Sequence, residues 1–173
     1  MVNVDMLKKF GLGWKMHTLL LLRHAKSDWS VPVGDHKRPL NKRGSRDAPV
    51  MAKRVKKRGY RPDMILSSSA LRAVQTAEAF AKALKSEPLF DDRLYDAHEN
   101  TIIDLIHAME EEIKDLMLVG HNPTWESVVE YLTGERIVMP TCSMVQIAFD
   151  CHWKELKATE GKIVYFDYPK KEL

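Results

Sequence analysis

Cysteine is scarce in this chain: Cys142 and Cys151 are the two among 173 residues. They cannot build a disulfide framework and do not stand at the C-x-x-C spacing of a metal or redox pair, so they read as reduced thiols. Long apolar runs are missing too. The longest, Thr18–Leu22 with its neighbours, falls far short of the ~20 residues that cross a bilayer. Met1–Trp14 carries charges but no apolar stretch of the kind a secretory leader needs. These absences lead to the expectation of a cytoplasmic protein with no membrane partner. His36, His98, His107 and His152 share no helical or strand spacing with a carboxylate, so no metal site is expected. A Walker loop and a G-x-S-x-G elbow are both lacking, which argues against a nucleotide-binding P-loop and a serine hydrolase.

What remains is the composition of a folded domain, 45% hydrophobic and 29% charged. The length suits a single domain able to bury a core without staples. The apolar pattern begins just after Met16, so residues 1–15 are expected to be an N-terminal extension and 16–173 the domain. The net charge of +3 is mild, and most of the excess sits in Lys53–Arg58 and near Lys37–Arg46. No aromatic residues interleave these runs, which favours a solvated helix face over a nucleic-acid patch.

Hydrophobic spacing divides the chain into alternating short runs and helical periods. His17–Leu22 reads as a buried strand. A helix is expected over Asn41–Arg58, interrupted at Pro49 and stopped by Gly59. Met64–Leu66 is a second strand. Ser69–Leu84 is a helix behind a serine cap, with Leu71, Val74, Ala77, Phe80, Ala81 and Leu84 on one face. Thr101–Ile113 repeats that pattern. Leu116–Val119 is a third strand, and Pro123–Leu132 a helix with proline in its first turn. Met144–Phe149 and Lys162–Phe166 close the sheet, the last at an edge. The alternation implies an α/β fold with a mainly parallel sheet and helices on both faces.

In such folds ligands bind beyond the carboxyl ends of the strands. Arg23-His24-Ala25-Lys26-Ser27 follows the first strand, Ser67-Ser68-Ser69-Ala70-Leu71-Arg72 the second, and Gly120-His121-Asn122-Pro123 the third. Two arginines and two histidines therefore converge on one crevice. Arginine presents a planar fork of donors that matches phosphate oxygens in pairs. The helix starts after Ser69 and Pro123 add backbone N–H groups. A neutral imidazole aimed at phosphorus could then act as a nucleophile, and water would remove the phosphoryl group in a second step.

These segments, together with Arg38-Pro39-Leu40-Asn41-Lys42-Arg43-Gly44 and Ala73-Val74-Gln75-Thr76, resemble the histidine phosphatase superfamily, and within it the small phosphohistidine phosphatases. The likeness runs from about Met16 to Phe149 by the order and spacing of four motifs. It implies a three-layer αβα sandwich of the phosphoglycerate mutase-like kind and no cofactor. It implies further that His24 is the phosphorylated nucleophile, Arg23 and Arg72 phosphate clamps, and His121 a charged or hydrogen-bonding partner of the phosphoryl group.

Three departures from the family pattern bear on the chemistry. Ala25 stands where glycine is usual. Ser30 stands where many relatives carry a phosphate-binding asparagine, leaving that contact absent or supplied by Ser27. Larger relatives place an acidic proton donor in the segment corresponding to Leu94–Asn100, where Asp96 is the best match and Glu99 the next. An alcohol leaving group needs such a proton, whereas the imidazole of a phosphohistidine leaves more easily. A small enzyme with a weak acid would therefore favour phosphohistidine or another activated phosphoryl donor. The expected activity is hydrolysis of a phosphoryl group through phospho-His24, with a phosphorylated protein as substrate and partner. A small phosphorylated molecule is the alternative, and a phosphate-binding interaction module on the same scaffold is the rival from another class.

Overall fold

The computed structural model describes residues 17–171. The expected extension, 1–15, lies outside the described residues. A six-stranded sheet forms the middle layer: β1 (His17–Arg23), β2 (Met64–Ser67), β3 (Pro88–Phe90), β4 (Asp115–Gly120), β5 (Met144–Phe149) and β6 (Lys162–Asp167), in the spatial order β3-β2-β4-β1-β5-β6. The β3–β2, β2–β4 and β4–β1 pairings are parallel, and β5 runs antiparallel to both β1 and β6. Five strands thus point one way, as the alternating pattern implied.

Among the described residues four helices cover the sheet: α1 (Lys42–Lys57), α2 (Leu71–Leu84), α3 (Glu99–His107) and α4 (Thr124–Thr133). The central strand shows why both faces need covering. Leu19, Leu20, Leu21 and Leu22 are all fully buried, and successive side chains on a strand point to opposite faces. Leu19 and Leu21 join the core beneath α3 and α4, with Ile102, Ile106, Trp125 and Val129. Leu20 and Leu22 join the core beneath α1 and α2, with Met51, Val55, Ala77 and Phe80. Two cores on either side of one sheet make the three-layer sandwich.

Local chemistry sets the helix ends. The Asn41 side chain accepts the Gly44 N–H at 2.9 Å and starts α1. Gly134, at φ 76°, caps α4 in the left-handed region that glycine adopts without strain. The basic run at the end of α1 has a structural use: Arg54 pairs with Asp167 at 3.3 Å, and the Arg58 guanidinium lies 3.5 Å from the centre of the Tyr165 ring. Both contacts tie α1 to the edge strand β6.

The structure corrects four readings. Pro49 does not interrupt α1; it lies with Ser45 on the exposed face, where water can satisfy the carbonyl that proline leaves without an N–H. Residue Ala70, not a serine, caps α2, and no side chain closes that end. The buried stripe of α2 is also rotated from expectation. Arg72, Ala73, Thr76, Ala77, Phe80 and Ala81 face inward, while Leu71 and Val74 are half-buried. Finally, α3 starts at Glu99 and stops at His107, and Met109 and Ile113 reach the core from the turns that lead into β4. The short edge strand β3, with Leu89 and Phe90 exposed, has no expectation to match it.

Candidate active site

Strand register brings the motif residues together. Arg23 is opposite Gly120 across β1 and β4, and Ser67 is opposite Val119 across β2 and β4. The carboxyl ends of three adjacent parallel strands are therefore level. The His24 N–H continues the ladder onto the Gly120 carbonyl at 3.0 Å, and the Ser68 N–H onto the Val119 carbonyl at 2.9 Å.

His24 is 8% exposed, and its orientation is fixed from one side. Its Nδ1 is 2.7 Å from the Ala25 carbonyl, which can only accept, so Nδ1 carries the proton. The lone pair is then on Nε2, which has no hydrogen-bond partner among the described residues. Burial, with His121, Arg72 and Arg23 adding their share, pushes the pKa of His24 from 6.5 down to about 3. The ring is neutral, as a nucleophile requires. Ala25 itself fits without strain, and its N–H donates to the Thr76 hydroxyl at 3.0 Å.

His121 lies beside it, with ring centroids 5.1 Å apart. Its Nδ1 is 3.5 Å from Arg72 Nη2, a group that only donates, so the proton is assigned to Nε2, which donates to Ser68 Oγ at 2.7 Å. Burial, then Arg72, brings its pKa down to about 4.

Three arginines stand around the site, Arg72 and Arg23 near enough to act on both rings and Arg38 on that of His121. Arg72, 6% exposed in the first turn of α2, donates from Nη1 to the Asp35 carbonyl at 2.7 Å and from Nη2 to the Asp35 carboxylate at 3.1 Å. Arg23 donates from Nη1 to the Met139 carbonyl at 2.7 Å. The same carbonyl accepts from Asn122 at 3.1 Å, and Glu126 takes the Met139 N–H at 2.7 Å. Arg38 is the third. It is 6% exposed, donates to Ser27 Oγ and to Asp35 at 2.6 Å, and stacks 3.6 Å from the centre of the Trp29 ring. The Nε of each of these arginines is buried without a hydrogen-bond partner among the described residues. Orphaned charged donors are costly, and an anion with several acceptor oxygens would satisfy them.

The structure thus brings Arg23, His24, Arg72 and His121 together. Ser27 is buried, and its hydroxyl is turned to Arg38. Ser30 is turned away, with its N–H and hydroxyl on Asp28 at 2.9 and 2.6 Å. Asp96 is exposed at φ 51° and makes no hydrogen bond or ion pair among the described residues. With Glu99 it lines a groove that Pro123, Thr124 and Ser127 complete, next to the His121 segment. Sequence reasoning assigned no role to Arg38, Asp35 or Tyr95. Arg38 had a signal, since it opens one of the recognised motifs; Asp35 and Tyr95 had none. Among the described residues no three His, Cys, Asp or Glu side chains gather into a metal-holding group, and no helix is long and apolar enough to cross a membrane.

The family model described as the histidine phosphatase superfamily (branch 1) matches residues 19–138. An uncharacterised chloroplastic protein of Arabidopsis thaliana is 31% identical over 83% of this chain and 72% of its own length. A Serratia proteamaculans protein named as a probable phosphoglycerate mutase is 28% identical over 75% of this chain and 65% of its own. Among solved structures, a candidate phosphohistidine phosphatase SixA of Agrobacterium tumefaciens superposes with a TM-score of 0.77 at 34% identity, covering 88% of this chain and 98% of that one.

Proposed function

Since the chain belongs to the histidine phosphatase superfamily and is a phosphatase hydrolase, we propose that it works through a phosphoryl group carried transiently on His24 and that its substrate is phosphohistidine in a protein. The observation that carries this reading is the state of His24: neutral, with Nδ1–H fastened to the Ala25 carbonyl and Nε2 without a hydrogen-bond partner among the described residues, close to the guanidiniums of Arg72 and Arg23. Attack by the Nε2 lone pair forms an N–P bond as the bond from phosphorus to the leaving group breaks. Water then attacks the same phosphorus, the N–P electron pair returns to Nε2, and inorganic phosphate departs. Charge spreading over the equatorial oxygens in both steps is met by Arg23, Arg72 and Arg38. A dianionic phosphoryl group bound beside His121 would raise its pKa, so His121 can share a proton with it at neutral pH.

The choice of phosphohistidine rests on the carboxylates. Asp35 is tied to arginines, which keep it ionised, and Asp96 is exposed with no partner among the described residues to orient it. Neither is held as a general acid would be, and phosphohistidine needs that help least. A substrate panel tests the assignment, comparing a phosphohistidine peptide, sugar phosphates and p-nitrophenyl phosphate at equal concentration. The largest kcat/KM is expected for the peptide. A sugar phosphate hydrolysed faster than the peptide would transfer the assignment to a small-molecule phosphomonoesterase.

A further inference from the structure

Asp35 sits on an exposed turn, Asp35–Lys37, yet it is the most heavily bonded acidic residue near the site. Its Oδ1 accepts from Arg38 Nη2 at 2.6 Å. Its Oδ2 accepts from Arg72 Nη2 at 3.1 Å and from the Tyr95 hydroxyl at 2.8 Å. Its backbone carbonyl accepts from Arg72 Nη1 at 2.7 Å. One residue therefore fastens guanidiniums that come from separate parts of the chain, Arg38 before α1 and Arg72 in α2. Exposed ion pairs between two flexible side chains fix little. Here both guanidiniums are buried, each side chain 7% exposed, so the anion between them selects among few orientations. It takes the Nη1 and Nη2 end of Arg72 and leaves Nε buried and unpartnered. Nη2 retains a second N–H on the His121 side, 3.5 Å from Nδ1.

We infer that Asp35, braced by the Tyr95 hydroxyl, is a positioning residue that sets the orientation of Arg38 and Arg72 toward the phosphoryl group. The inference rests on the His24 reading for its purpose. It excludes two other roles for the same carboxylate. Arg38 first, and then Tyr95 and Arg72, hold Asp35 well below the usual carboxylate range, so it has no proton to give a leaving group. An internal competitor, occupying the arginines until substrate displaces it, would have the opposite effect on anion binding.

Orthovanadate affinity, measured by calorimetry, reads the arrangement without requiring turnover. Asp35→Ala should weaken vanadate binding by about tenfold or more, since the charged bonds from the carboxylate to Arg38 and to Arg72 Nη2 are both lost and only the backbone carbonyl still holds Arg72. Tyr95→Phe, which removes only the brace, should weaken it by roughly threefold, in the range of one neutral hydrogen bond. In turnover, kcat should fall further than KM rises. Asp35→Glu, which keeps the charge, should recover part of the loss. Asp35→Ala leaves two buried guanidiniums without their carboxylate, so its melting temperature should fall, and binding is therefore measured well below the melting temperature of every variant. Unchanged or tighter vanadate binding in both Asp35→Ala and Tyr95→Phe would overturn the inference. If Asp35→Ala fails to fold, Tyr95→Phe alone decides. A wild type that binds vanadate but turns over no phosphorylated substrate would instead defeat the His24 reading, which keeps the two failures distinct.

Discussion

The rings of His24 and His121 lie 5.1 Å apart, and both are held neutral far below the pH at which a free imidazole takes up a proton. Folding lowers these pKa values from 6.5 to about 3 and about 4. Below pH 6.5 the unfolded chain binds protons that the folded site refuses, so stability falls with acidification and is unaffected by these groups above it. Each suppressed imidazole can cost at most about 1.4 kcal/mol per pH unit in that window. His24→Ala should therefore lose less melting temperature than wild type between pH 7 and pH 5. Parallel losses in the two proteins would show that His24 titrates normally.

Arg72→Lys keeps the charge and discards the fork. With Nε and Nη2 gone as a pair, one bidentate phosphate contact and the tie to Asp35 are both lost. A fall in kcat/KM of more than tenfold, ~1.4 kcal/mol in the barrier, is expected. A loss within about threefold would remove Arg72 from the clamp.

The strands that mattered were legible because their signal is strong. Leu19–Leu22 is a continuous apolar run ending in Arg23-His24, and Leu116–Val119 ends in Gly120-His121. Once these two pair in parallel, the histidines must meet. Arg72 was readable for the same reason, as it follows a strand by a short turn. Arg38 and Asp35 were not placed, because they sit in an irregular stretch between β1 and α1 where no periodicity says which side chains turn inward. Tyr95 reaches Asp35 across 60 positions of sequence, a contact that only the tertiary fold creates. Pro49 misled because the rule against proline in helices assumes that the orphaned carbonyl has nowhere to turn, and on a solvent face it has. The rotated face of α2 has a similar cause: Arg72 and Thr76 are buried by the site, and so displace Leu71 and Val74 from the core stripe.

Asp96 is separable from Glu99 by leaving group. If Asp96 donates a proton, Asp96→Asn should cut hydrolysis of an alkyl phosphate by ~10²–10⁴-fold and spare p-nitrophenyl phosphate. Glu99→Gln is the matching control. The exposed, unpartnered state of Asp96 favours a different outcome, with neither substitution having a leaving-group-dependent effect. A large selective loss at either position would make ester hydrolysis the better account.

Gly120 has little room. A Cβ there would stand 2.6 Å from the Trp125 ring, whose Nε1 donates to the Leu22 carbonyl at 2.8 Å. Gly120→Ala must displace that indole or the end of β4, which carries His121. A stability loss of about 1–3 kcal/mol is expected, the usual cost of overpacking. Activity should fall as well, measured well below the melting temperature. A variant with wild-type melting and turnover would mean that the Trp125 contact does not set the position of His121.

The most direct test is to catch the intermediate. Wild type mixed with isotope-labelled substrate, quenched early and kept in alkali to preserve phosphohistidine, should yield one labelled peptide containing His24, with the phosphoryl group on Nε2. His24→Ala should keep the circular dichroism of the wild type, acquire no label and turn over no substrate. Label on another residue, or normal turnover by His24→Ala, would contradict the account.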